Sequence, residues 1–167
     1  IDWSTTRAFA EGGYVGRIYL NVCGRQKHGI VREAEMLPLL DEIATKLQEL
    51  SVPGFQDRNR VFWPKDVYRQ TRGVAPDLLV YFDNLSFRAV GSVGYQELWG
   101  MQNDTGFDTA NHASEGLYIS SAERSPCPTP ALSFTRKTHS IYDVAPSILR
   151  YFEKPIPPYM TGHFMEL

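Results

Sequence analysis

The chain has little cysteine, no long apolar run, no excess of basic residues and no internal repeat, and each deficit removes a class of function. Cys23 and Cys127 stand 104 positions apart without a CxxC pair, so neither a thiolate metal knuckle nor a disulfide framework is encoded, and both read as buried thiols. No stretch approaches the roughly 20 apolar residues that a membrane-spanning helix needs, and the amino end has no charged and apolar regions of a signal peptide. Seventeen Lys plus Arg against nineteen Asp plus Glu leave a net charge of −2. With no basic stripe, a nucleic-acid polymer is not the expected partner.

Motifs of common catalysts are also missing. There is no GxSxG elbow, and Ser4 has no histidine near it in sequence. The glycines of Gly12-Gly13-Tyr14-Val15-Gly16 precede an expected strand rather than a helix, so they do not assemble the amides of a phosphate loop. Asn84-Leu85-Ser86 and Asn103-Asp104-Thr105 fit the glycan acceptor pattern but carry little weight without a secretory context. The chain opens at Ile1 without an initiator Met, which implies a processed chain or a piece of a longer one. A cytoplasmic location is slightly favoured, any targeting signal lying before Ile1.

What is present is the composition of a globular domain: 43% apolar, 13% aromatic and 22% charged residues over 167 positions. Such a chain has room for one domain, expected over 1–167, and can bury roughly 70% of its unfolded surface. Ile18 to Val22 reads as a strand between glycines. Met36, Leu40, Ile43, Leu47 and Leu50 recur at helical steps between Glu33 and Leu50, with Pro38 expected in a first turn that begins near Ala34 to Leu37. Arg60 to Tyr68 reads as a strand interrupted by Pro64, and Asp77 to Phe82 as a buried strand. Leu85 to Val90 forms a hairpin or a loop, and Gly91 to Ala113 a long polar loop. Gly116 to Ser120 reads as a short strand, Ser121 to Pro130 as irregular, and a helix follows Asp143, whose carboxylate caps its first turn. This alternation predicts an α/β fold with a mostly parallel sheet flanked by helices.

Of the four histidines, His28, His112, His139 and His163, His112 stands out because it closes the polar loop and precedes the strand expected at Gly116. An imidazole there suits zinc. No histidine or cysteine stands two to four residues from it, and Asp104 and Asp108 are as well explained as turn formers. Glu115 would either orient the ring or face water. Arg7 and Arg25 could meet an anion but more commonly pair with surface carboxylates. Trp3, Trp63 and Trp99 read as packing residues, with Trp99 and Tyr95 also able to stack on a ring.

The order of several motifs adds to this. Asp2-Trp3-Ser4, Thr6-Arg7-Ala8-Phe9-Ala10, Ile18-Tyr19-Leu20-Asn21, Gly24-Arg25, Gly29-Ile30-Val31 and Ala75-Pro76-Asp77-Leu78-Leu79-Val80 together resemble the carboxyl-terminal part of the type I phosphodiesterase/nucleotide pyrophosphatase family, within the alkaline phosphatase superfamily. His112-Ala113-Ser114-Glu115-Gly116-Leu117-Tyr118-Ile119 is similar to the place where the superfamily's last metal-binding histidine precedes a core strand. Asp143 to Leu149, with Ile156-Pro157 and Met160-Thr161-Gly162, is similar to the closing helix and tail.

The resemblance implies an alkaline phosphatase-like core fragment, a two-zinc site, a transiently phosphorylated Thr or Ser, and a small-molecule phosphoester substrate. His112 is the one position here that matches a metal ligand. The nucleophile and the other ligands would lie in the family's amino-terminal part, so the isolated chain is expected to bind zinc weakly and to be inactive. The resemblance also admits a non-catalytic binding module and a sulfatase or phosphomonoesterase relative.

Overall fold

The computed structural model describes residues 1–51, 54, 58–100, 106, 110–119 and 138–165. The chain forms two compact units, Ile1–Gly116 and Leu117–Leu167.

The first unit is built on a four-stranded sheet. β1 (Ala8–Glu11) and β2 (Gly16–Leu20) form a hairpin, α1 (Glu33–Glu49) follows, then β3 (Arg60–Phe62), the short α2 (Pro64–Val67) and β4 (Leu78–Tyr81). The order across the sheet is β1-β2-β4-β3. Every pairing is antiparallel, with Phe9 opposite Tyr19, Ile18 opposite Leu78 and Val61 opposite Val80. The expected mostly parallel sheet flanked by helices is therefore incorrect.

The physical reason lies in β1 and β4. A four-residue connection between β1 and β2 allows only an antiparallel hairpin. Strands β2 and β3 do run the same way, joined through α1 as the alternation suggested. β4 then inserts between them in the opposite direction, a split βαβ arrangement that the order of elements along a chain does not disclose.

Helix α1 lies on one face of this sheet. Leu40 and Ala44 are buried with Leu20, Val22, Val31 and Leu78, and Met36, Leu39 and Ile43 pack around them. The helix starts at Glu33 and carries Pro38 inside it, earlier than the proline implied. Its start is held by Glu35, whose carboxylate accepts from the Arg32 amide at 3.0 Å and from Arg32 Nε at 2.9 Å. These contacts, the Nε bond first, hold the Glu35 carboxyl down at about 2. On the opposite face, Trp3, Phe9 and Tyr19 form a run of rings, Phe9 stacked on Tyr19 at 5.3 Å and Trp3 edge-on to Phe9 at 5.4 Å.

Asn21 fastens the segment before β1 to the loop after β2. Its Nδ2 donates to the carbonyls of Trp3, Thr6 and His28 at 3.2, 2.9 and 2.9 Å, and the residue is 1% exposed. Asp77 fastens the middle. Its carboxylate accepts from Arg25 Nη1 at 2.8 Å, Arg25 Nη2 at 2.5 Å and the Leu20 amide at 2.7 Å. Arg25 thus pairs with a carboxylate, and Asp77 raises its pKa above the ordinary value. Cys23, expected to be a buried thiol, is exposed and donates to the Gly29 carbonyl at 3.3 Å. Cys127 lies outside the described residues.

In the second unit a 3-10 turn (Ile141–Asp143) leads into α3 (Val144–Tyr151). Asp143 stands at the N-cap position of α3, but its carboxylate makes no capping hydrogen bond to the first turn. Its carboxylate instead accepts the Ser140 amide at 2.9 Å and the His163 amide at 2.8 Å, tying the tail to the start of the helix. A 3-10 turn ahead of the helix turns the side chain away from the free amides of the first turn. The bonds from the His163 and Ser140 amides hold its carboxyl below the ordinary value of 3.8. The strand expected over Gly116 to Ser120 does not form over residues 116–119, where Leu117 and Ile119 are 88% and 79% exposed; no neighbouring strand pairs with it among the described residues. No helix among those residues is long and apolar enough to cross a membrane.

Candidate functional site

The site is built around His112 and begins at the hairpin tip. Gly13 (φ 135°) pairs with Ala89 through two backbone hydrogen bonds, its amide donating at 2.8 Å and its carbonyl accepting at 2.9 Å. Gly12 comes so close to the Gly91 backbone and the Ala89 carbonyl that a Cβ at this position would collide with both. These glycines therefore serve a close backbone approach. They place Tyr14 beside the segment that follows β4.

The imidazole of His112 stacks on the Tyr14 ring at 4.2 Å with 15° between the planes. Arg88 places its guanidinium 4.5 Å from the same ring and donates to the Ala110 carbonyl. Asn111 completes the brace. Its Nδ2 donates to the Leu85 carbonyl and its Oδ1 accepts from the His112 amide at 2.9 Å. Two side chains and one ring stack thus hold the end of the polar loop against the sheet, while His112 itself is exposed. Neither ring nitrogen has a hydrogen-bond partner among the described residues.

Behind this brace the backbone is strained. Asp83, Asn84 and Leu85 have φ of 45°, 51° and 77°, a left-handed run in which each non-glycine residue is disfavoured. It is held from within: the Asp83 amide donates to Asn59 Oδ1 at 2.8 Å, and Asn59 Nδ2 donates to the Leu47 and Leu50 carbonyls at the end of α1, both at 2.8 Å. Asp83 is 3% exposed and its Oδ1 has no hydrogen-bond partner among the described residues. A continuous series of contacts therefore runs from α1 through Asn59 and the strained turn to Asn111 and His112.

Among the described residues of the first unit, no second ligand joins His112. Groups of three His, Cys, Asp or Glu side chains able to hold a metal ion are absent among the described residues. Glu115 is exposed and makes no bond to the imidazole. His28, His139 and His163 are exposed, and Asp104 and Asp108 lie outside the described residues. One imidazole does not hold a catalytic zinc, which takes about three protein ligands. Trp99 packs against Phe82 and Phe87 at 6.0 and 5.6 Å, and Ser4 Oγ donates to Asp2 at 2.6 Å, so neither points to catalysis. Tyr14, Arg88 and Asn111 escaped the reading of sequence; the paired glycines and an Asn directly before the histidine were the available signals.

Comparison of the chain with family models, with curated proteins and with solved structures finds no match.

Proposed function

We propose that this chain is the carboxyl-terminal part of a metal-dependent phosphoric ester hydrolase of the phosphodiesterase/nucleotide pyrophosphatase type, to which it contributes His112 as one metal ligand. The observation that carries the reading is the placement of that imidazole: exposed, stacked on Tyr14, its backbone amide held by Asn111, and with both ring nitrogens open to a ligand among the described residues. The ordered motifs from Asp2 to Gly162 supply the class of reaction. Zinc, when bound, would polarise the phosphoryl group and lower the pKa of the attacking hydroxyl.

Within that protein this chain's own residues orient and support. Stacking on Tyr14 restricts rotation of the imidazole, and the Asn111 bridge fixes the height of its backbone above the sheet. The remaining ligands and the nucleophile come from polypeptide other than this chain, and the substrate is a small phosphoester.

Two measurements test the reading. Zinc titration of the 167-residue chain should give weak binding at His112 and no cleavage of an aryl phosphodiester above background. The whole protein should cleave the diester in a chelator-sensitive way and lose about 100-fold or more on His112→Ala. Tight zinc binding with turnover by the chain alone, or unchanged activity of the whole-protein variant, overturns the proposal. Chelator-sensitive cleavage of sulfate or monoester in place of diester moves the substrate to another branch of the superfamily.

A further inference from the structure

Remote in sequence from His112, a cleft of about 620 Å³ opens beside α2. Its size lies in the range of small-molecule sites, about 300–1,000 Å³. The floor is preorganised. Asp77 and Arg25 meet there through the two hydrogen bonds given above, and Arg25 also donates to the Leu20 carbonyl at 2.8 Å. Asp77 accepts the Leu20 amide as well, so this pair spends its charge and its hydrogen bonds on itself and on β2.

The walls are apolar and unusually open. Trp63 packs against the core, while Tyr68 and Val74 are 51% and 69% exposed. Large apolar side chains left open around a concavity have an unfavourable contact with water that a ligand would relieve.

The rim is cationic. Lys65 and Arg69 line the cleft, and neither has a carboxylate within ion-pair distance among the described residues. Lys65 Nζ stands 4.9 Å from the centre of the Trp63 ring, a distance at which the indole face favours a cation. With Asp77 already paired to Arg25, the described residues of the lining carry two positive charges in surplus.

We propose that this cleft is a binding site for a small aromatic oxyanion, a flat ring seated against Trp63 and Tyr68 with its phosphonate, phosphate or carboxylate between Lys65 and Arg69. A neutral ring would leave both cations without an anion. A bare oxyanion would leave the aromatic walls in water. The ligand that answers both is an anion with a ring. The site is independent of His112 and of the hydrolase reading.

Phenylphosphonate is the probe, because its carbon–phosphorus bond is not a phosphoester and resists hydrolysis. Titrated into the 167-residue chain, it should shift the indole N–H resonance of Trp63, identified with Trp63→Phe, with a dissociation constant of about 1 mM or tighter. Inorganic phosphate and benzyl alcohol should each bind at least about tenfold more weakly, a difference of about 1.4 kcal/mol. The double variant K65A/R69A should lose about tenfold or more, and the charge-retaining K65R/R69K should keep binding. His112→Ala should leave it unchanged. The proposal fails if the Trp63 resonance does not move, if K65A/R69A binds as well as the parent, if benzyl alcohol binds equally, or if His112→Ala removes binding.

Discussion

Replacing Asp77 with Asn removes one charge from the centre of the first unit while preserving shape, and its effect can be worked from the contacts. The carboxylate accepts three hydrogen bonds, two from Arg25 and one from the Leu20 amide. An amide has one oxygen in place of two, so at least one donor then faces an NH₂ group. Breaking a fully buried ion pair costs about 3–5 kcal/mol. Here the side chains of Arg25 and Asp77 are 29% and 9% exposed, and water partly replaces the lost partner on the Arg25 side. The expected loss is about 2–3 kcal/mol. Urea denaturation followed by far-ultraviolet circular dichroism measures it, together with Arg25→Met and the double variant. Because the two groups answer one another, the double variant should lose less than the sum of the singles by about 1–2 kcal/mol. A loss below about 0.5 kcal/mol for Asp77→Asn, or strict additivity, would show that the pair behaves as a solvated surface bridge and would refute the reasoning.

Asn21→Ala removes the donor shared by the Trp3, Thr6 and His28 carbonyls and should destabilise the first unit by about 2–4 kcal/mol in the same urea assay; a loss under about 1 kcal/mol means that water replaces it. Gly12→Ala drives a methyl group into the Gly91 backbone, so the Gly13–Ala89 pairing should open and the Tyr14 ring currents at His112 should vanish from proton spectra. Acid should loosen two carboxylate ties in the same direction. The Asp143 and Glu35 carboxyls both lie below their ordinary values of 3.8 and 4.5. Their contributions are complete above those values and are lost as pH falls through the lower folded-state values, for Glu35 about 2. The protection of the His163 and Arg32 amides, taken as exchange relative to each amide's intrinsic rate at the same pH, should therefore stay constant from neutral pH down to about 5 and fall below it, and Asp143→Ala should remove the protection of His163 at every pH.

Some of this molecule was legible in its residues alone. The buried run Leu78–Tyr81 is a central strand, and the stripe of Met36, Leu40 and Ile43 is the face that α1 lays on the sheet, because local periodicity dictates which side of an element avoids water. Strand direction was not legible. The same order of strands and helix suits a parallel pair or a split one, and the choice depends on whether β4 enters between β2 and β3, a matter of long-range pairing. The site divides in the same way. His112 could be singled out by its polar loop and chemical type, whereas Tyr14 and Arg88, distant from it in sequence, acquire their roles only when the hairpin tip crosses the segment after β4. Asp143 shows how narrow the margin is: its residue type announced a cap, and a single 3-10 turn ahead of the helix redirected the carboxylate to the His163 amide. Residue type and spacing thus determined which groups can act, and the folded chain decided which of them meet, because meeting requires backbone approaches such as that of Gly12 to Gly91 that no local pattern encodes.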